Sequence, residues 1–164
     1  MKGTLSIALL VVAATLLGGA AAAAAEEPAA PTRAEYVPQV ESICQANTEV
    51  DKRILKNVQQ RVRQGKLKQA GKQFIHVSAA FGSAIGEMMA VPRPPEDEAR
   101  LLKWFKFLRI VQTDLRKVGK AFKAEERIRA THEGIRVERA SNAANNVGFV
   151  FEFHYCRLTR SRFS

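Results

Sequence analysis

The chain has 164 residues, 46% of them hydrophobic and 26% charged, and its 26 Lys+Arg stand against 16 Asp+Glu for a formal charge of +10. That length suits one domain with a core of its own. Three scattered histidines and two cysteines leave too few ligands at set spacings for a zinc site, and two cysteines allow only one intramolecular bridge.

The first residues read as a secretory signal. Lys2 is the positive n-region, residues 5–17 an apolar h-region, and residues 18–25 a run of glycine and alanine that offers small-residue cleavage sites, with the cut expected near Ala25. The alternative is an uncleaved anchor, because residues 5–25 carry no charge and just reach the length of a bilayer span. Alanine is only weakly apolar, however, so half of that span makes a poor membrane segment. No cysteine near the cut invites lipid attachment, and no Asn-x-Ser/Thr acceptor occurs. Cleavage removes Lys2 alone among the charges and leaves 139 residues with 25 Lys+Arg against 16 Asp+Glu, a formal +9. Export puts Cys44 and Cys156 in an oxidising compartment, where they are expected to pair; free thiols or intermolecular bridges are the other reading. Residues 26–32 (EEPAAPT) read as a short flexible lead.

Helical periodicity follows. Thr32-x-x-Glu35 is a capping-box pattern, and Tyr36, Val40, Ile43/Cys44, Asn47, Val50, Ile54, Val58 and Val62 then recur in steps of three and four. Pro38 is expected to move the true start to about residues 35–37, since proline suits only the first turn. Gly65 interrupts the pattern. A second stripe runs through Leu67, Ala70, Phe74, Val77, Phe81, Ile85 and Met88 and ends at Val91-Pro92-Arg93-Pro94-Pro95. Glu96-Asp97-Glu98 marks the next helix start, because acids complement the positive N-terminal end. The third stripe is Leu101, Trp104/Phe105, Leu108, Val111, Leu115, Val118 and Phe122. A weaker fourth helix, from about Glu125 to Gly148, shows a narrow face of Ala130, Gly134, Val137, Ala140, Ala144 and Val147. Phe149, Phe151, Phe153 and Tyr155 then alternate, which predicts an extended segment, and residues 157–164 read as a loose basic tail.

These elements predict an all-α domain over residues 33–156: an up-down-up-down four-helix bundle with the extended aromatic segment packed back on helix 1. Antiparallel helices 1 and 4 would bring Cys44 and Cys156 to one end of that bundle.

The chain carries no recognisable catalytic constellation. Without C-x-x-C-H, covalent haem attachment is excluded. His76, His132 and His154 do not fall on the apolar stripes, and Met88 and Met89 close helix 2, so no inward axial pair is present. Di-iron bundles need Glu-x-x-His, which does not occur, and neither G-x-S-x-G nor a glycine-rich phosphate loop is found. Glu125-Glu126 are better read as helix-start charges than as an acid/base pair. The expectation is therefore a protein that is not an enzyme, with no metal and no cofactor.

Two features remain. Asn47 lies on the first stripe, and Asn142, Asn145 and Asn146 lie near the end of helix 4. They read either as a hydrogen-bonded cluster fixing register or as a polar ligand pocket under the aromatic segment. Charge is the clearer asymmetry. Residues 61–72 carry Arg61, Arg63, Lys66, Lys68 and Lys72 with no acid; residues 114–129 carry Arg116, Lys117, Lys120, Lys123, Arg127 and Arg129 against Asp114, Glu125 and Glu126. Together these stretches hold +8 of the +9. Helix dipoles account for Arg61, Arg63, Lys120 and Lys123 at C-terminal ends, but not for Lys66, Lys68, Lys72, Arg127 and Arg129 near N-terminal ends. A basic pole for an anionic partner is one reading, and a solvated face the other. After export the partner is a lipid headgroup or an anionic envelope polymer rather than nucleic acid.

The pattern Glu35-Tyr36…Glu41-x-Ile43-Cys44-x-x-Asn47-Thr48, the Val91-Pro92-x-Pro94-Pro95 turn and the late Asn-x-x-Asn followed by an aromatic-Cys pair resemble a group of small exported, two-cysteine helical proteins of actinobacteria. The resemblance spans most of the mature chain. It implies export and a paired cysteine, and carries over no catalytic residue. The resulting expectation is an exported, non-enzymatic helical module that binds or scaffolds in the cell envelope, or alternatively a small-ligand- or cofactor-binding bundle using the Asn/aromatic end.

Overall fold

The computed structural model describes residues 30–163. The expected signal, its cleavage point and most of the lead fall outside the described residues. The described chain is all-helical: α1 (Arg33–Ile54), α2 (Val58–Arg63), α3 (Leu67–Ala90), α4 (Glu98–Lys123) and α5 (Arg127–Gly148), with short 3-10 turns at Pro95–Asp97, Phe149–Phe151 and Arg160–Phe163. No strand occurs among the described residues, and none of their helices is long and apolar enough to cross a membrane. The four long helices pack against each other: α4 lies between α3 and α5, and α1 packs chiefly on α3.

The capping box forms. The Glu35 carboxylate accepts from the Thr32 amide at 2.8 Å, and the Thr32 hydroxyl accepts from the Glu35 amide at 3.3 Å. The Thr32 amide and hydroxyl, both donating to it at 2.8 Å, hold the Glu35 carboxyl below its ordinary range. Pro38 does not delay the helix as its chemistry suggests: α1 starts at Arg33 with Pro38 inside it. Beyond the first turn, Pro38 removes one backbone bond, the one its amide would make to the Ala34 carbonyl.

One stripe becomes two helices. The periodicity from Tyr36 to Val62 predicts a continuous helix, but the chain turns at residues 55–57 with Asn57 at φ 64. Asparagine tolerates that left-handed conformation better than most residues. The Gln73 side-chain amide donates to the freed Ile54 and Lys56 carbonyls at 2.5 and 3.1 Å. The stripe stays in phase because Leu55 and Val58 still bury against Ala70 and Val77 of α3.

The C-terminal segment departs further from expectation. Phe149–Phe151 make a 3-10 turn rather than extended chain, and Glu152 at φ 53 reverses the backbone. Phe151 enters the core, Phe149 remains 81% exposed, and Phe153 packs on Trp104 with ring centroids 4.9 Å apart. The residues after Cys156 are not a loose tail. Leu158 and Arg162 are buried, and the Phe163 ring meets Phe81 edge-on at 5.8 Å. Basic composition hid the fact that this stretch also carries Leu158 and Phe163, which have apolar surface to cover.

Polar contacts fasten the ends. Arg33 donates to both Asp97 carboxylate oxygens at 2.6 Å, joining the start of α1 to the turn before α4. Cys44 and Cys156 form a disulfide, with sulfurs 2.08 Å and Cα atoms 5.0 Å apart. Beside it the Glu41 carboxylate accepts from the Tyr155 and Cys156 amides at 2.8 and 3.0 Å. Tyr36 lies in the same core, and burial pushes its phenol up to about 12.

Candidate anionic-partner surface

The basic stretches come together because two glycines let α3 and α4 approach. A Cβ on Gly71 would stand 2.6 Å from the Gly119 carbonyl oxygen and 2.7 Å from the Lys123 amide nitrogen; one on Gly119 would stand 2.8 Å from the Gly71 carbonyl oxygen. These neighbours are backbone atoms and cannot rotate aside. Gly71→Ala is therefore expected to destabilise the protein by roughly 1–3 kcal/mol in urea unfolding, as overpacking does, although alanine is the better helix former. A stability equal to or above wild type would show that the helices separate freely here.

The turns on either side complete the juxtaposition. Arg127 donates to the Val62 carbonyl at 3.2 Å, and Lys68 pairs with Glu125 at 3.4 Å, across the gap between the α2–α3 and α4–α5 connections. The two stretches thus share one end of the molecule. The disulfide lies toward the far end of α5, a helix of 22 residues and therefore about 33 Å long.

At this pole the acids are occupied. Asp114, 3% exposed, takes Lys117 at 2.7 Å and Arg136 at 4.0 Å, while Glu125 takes Lys68 and Glu126 takes Arg129 at 3.0 Å. Among the described residues no carboxylate pairs with Arg61, Arg63, Lys66 or Lys72 on one side, or with Arg116, Lys120, Lys123 or Arg127 on the other. Most of these eight side chains are exposed. Between Arg127 and Arg129 stands Ile128, itself 77% exposed.

The asparagines do not converge. Asn47 is buried and donates to Asp51 within α1 at 2.8 Å. Asn145 fastens the C-terminal segment, donating to the Leu158 carbonyl at 2.8 Å and accepting from its amide at 2.9 Å. Asn142 and Asn146 are exposed. His76, His132 and His154 are exposed too, and no group of three His, Cys, Asp or Glu among the described residues is placed to hold a metal.

Comparison with known protein families, with curated proteins and with solved structures finds no match. The chemistry of the surface has to stand on its own residues. It is a concentration of cations with little internal neutralisation, suited to bind multivalent anions.

Sequence reasoning passed over one buried group, Asp51. It is fully buried, it accepts from Arg162 Nε at 3.0 Å, and its second oxygen has no partner. Burial raises its carboxyl above the ordinary value, more than Arg162 and Asn47 lower it. A signal was present: Asp51 lies four residues beyond Asn47 on the buried face, where the eye follows Val50 instead.

Proposed function

We propose that the protein is an exported, non-enzymatic helical module that docks through its basic pole on an anionic partner of the cell envelope, a lipid headgroup or an acidic polymer. The observation that carries the reading is the pooling of eight carboxylate-free cations from two distant stretches at one end. The disulfide is compatible with an oxidising compartment, which supports the assignment of the N-terminus as an export signal. The same reading takes the helices as up-down-up-down with the C-terminal aromatic segment lying back on α1, supported by the Arg33–Asp97, Gly71–Gly119 and Glu41–Cys156 approaches.

Co-sedimentation with phosphatidylglycerol vesicles and with a polyphosphate matrix, over a range of salt, tests this. Binding is expected to weaken steeply as salt rises, because exposed charges are screened beyond about 8–10 Å at physiological ionic strength. The triple variant Lys66→Glu/Lys68→Glu/Lys72→Glu is expected to lose at least tenfold in affinity to whichever partner binds. Unchanged binding by that variant defeats the assignment of the pole.

A further inference from the structure

Resting on that reading, we propose that the basic pole is the mouth of an acyl-chain groove, and that the anionic partner is an amphiphile: a carboxylate or phosphate head on a hydrocarbon chain. A cavity of about 290 Å³ lies between α5 and the C-terminal segment, with Phe74, Leu115, Val118, Phe122 and Val137 among its walls. Along α5 it reaches from Ala130 to Asn142, about 18 Å at 1.5 Å per residue, so it is long and narrow. Interiors are normally close-packed, with few voids larger than a water. An added Cβ at Gly134 would meet nothing within 4 Å, so the space beside it is open.

The groove's polarity selects the ligand. Toward the pole its walls are largely apolar, while Glu138, Ser141, Asn142 and Thr159 line it farther along. A sugar or peptide would leave its own polar groups unpaired on the apolar half. The charged end is equally definite. Phe122, Ala130 and Thr131 bound the groove where it meets the pole, next to Lys123 and Arg129, and the Thr131 hydroxyl donates to the Arg127 carbonyl at 3.1 Å. A second groove shares Phe74, Phe122 and Phe163 and has Arg63 on its rim; the Arg127 guanidinium, bonded to the Val62 carbonyl, lies at that rim as well. Cations therefore stand at the end where an anionic head emerges from a buried chain.

The test is titration calorimetry of the full chain with dodecanoate below its micelle concentration, with dodecanol and acetate as chain-only and head-only probes, beside phosphatidylglycerol vesicles as the lipid source. Dodecanoate is expected to bind saturably, one per chain, at least tenfold tighter than either half-probe. Gly134→Leu, which fills the groove from a position with open space, is expected to weaken dodecanoate at least tenfold without lowering the melting temperature. Ser141→Leu fills it from the other end and serves if the first variant does not fold. Absence of saturable dodecanoate binding, or equal binding by the filled variants, overturns the groove. Vesicles or polyphosphate binding wild type and Gly134→Leu alike would leave the pole standing without it. Dodecanoate binding that a Lys123→Glu/Arg129→Glu reversal leaves untouched would overturn the placement of the head at the pole.

Discussion

Replacing Cys44 and Cys156 together by alanine is expected to lower stability by about 4–5 kcal/mol. The bridge closes 112 residues of chain, and the entropy removed from the unfolded ensemble by a loop of that length is about 4.7 kcal/mol at 25 °C. Domains of this size are stable by roughly 5–15 kcal/mol, so the variant retains only a fraction of its margin. α1 packs chiefly on α3, and its ties to the other side are few: the disulfide, the Glu41 acceptor, the Arg33–Asp97 pair and the Asp51–Arg162 pair. Urea unfolding of the oxidised protein against the double variant checks the value, and the double variant avoids leaving a reactive thiol. A difference below about 1 kcal/mol would mean that the unfolded chain is already restrained by other means.

Arg162→Ala is expected to cost about 3–5 kcal/mol at pH 7, the usual penalty for breaking a buried pair. The two partners are not equivalent. Asp51 is a short side chain in the last turn of α1 and cannot leave the core, whereas Arg162 is a long side chain on the 3-10 turn Arg160–Phe163, stacked over Phe81 with its guanidinium 5.4 Å from the ring centroid. Removing Asp51 lets the arginine swing out to water. Removing Arg162 strands a carboxylate whose only remaining side-chain donor among the described residues is Asn47.

The pH dependence follows from the direction of the Asp51 shift. Burial raises its folded-state pKa above the unfolded value of about 4. A group shifted upward contributes stability that is fully present below the unfolded pKa and lost as pH rises through the folded one. Without Arg162 the upward shift grows, so Arg162→Ala should be closest to wild type near pH 4 and fall progressively behind toward pH 7. The double variant Asp51→Leu/Arg162→Leu should unfold within about 1–2 kcal/mol of wild type, because apolar replacement of a buried pair is often neutral or better. Thermal unfolding of the three proteins between pH 4 and 7 decides it; a pH-independent gap for Arg162→Ala would show that Asp51 is not the group responsible.

Much of the helical framework was legible as period. Leu67 to Met88 and Leu101 to Phe122 mark stripes that α3 and α4 follow almost to the residue, and the Thr32/Glu35 box marks the start of α1. The misreadings share one cause. Periodicity records which residues are covered, not whether the backbone between them is continuous, so the turn at Asn57 was invisible in a stripe that α3 covers on both sides of it. Alternation in Phe149–Tyr155 likewise looked extended, although past the reversal at Glu152 Phe153 packs on Trp104 and stacks on Phe151. At the candidate site the basic residues could be named from sequence, but not their meeting: nothing local says that Arg127 reaches Val62 or that Gly71 faces Gly119.

The order of residues alone determined the helical class, the helix boundaries at Gly65, at residues 91–95 and near Glu125, the one possible cysteine pairing and the surplus of positive charge, because each is a property of neighbouring positions or of composition. The tertiary structure decided that the basic stretches form one surface, that Asp51 holds Arg162 in the core, and that the last residues are docked rather than loose. Those outcomes depend on which side chains meet across more than fifty residues of chain, and contacts over such separations are set by close packing of whole helices rather than by any local pattern.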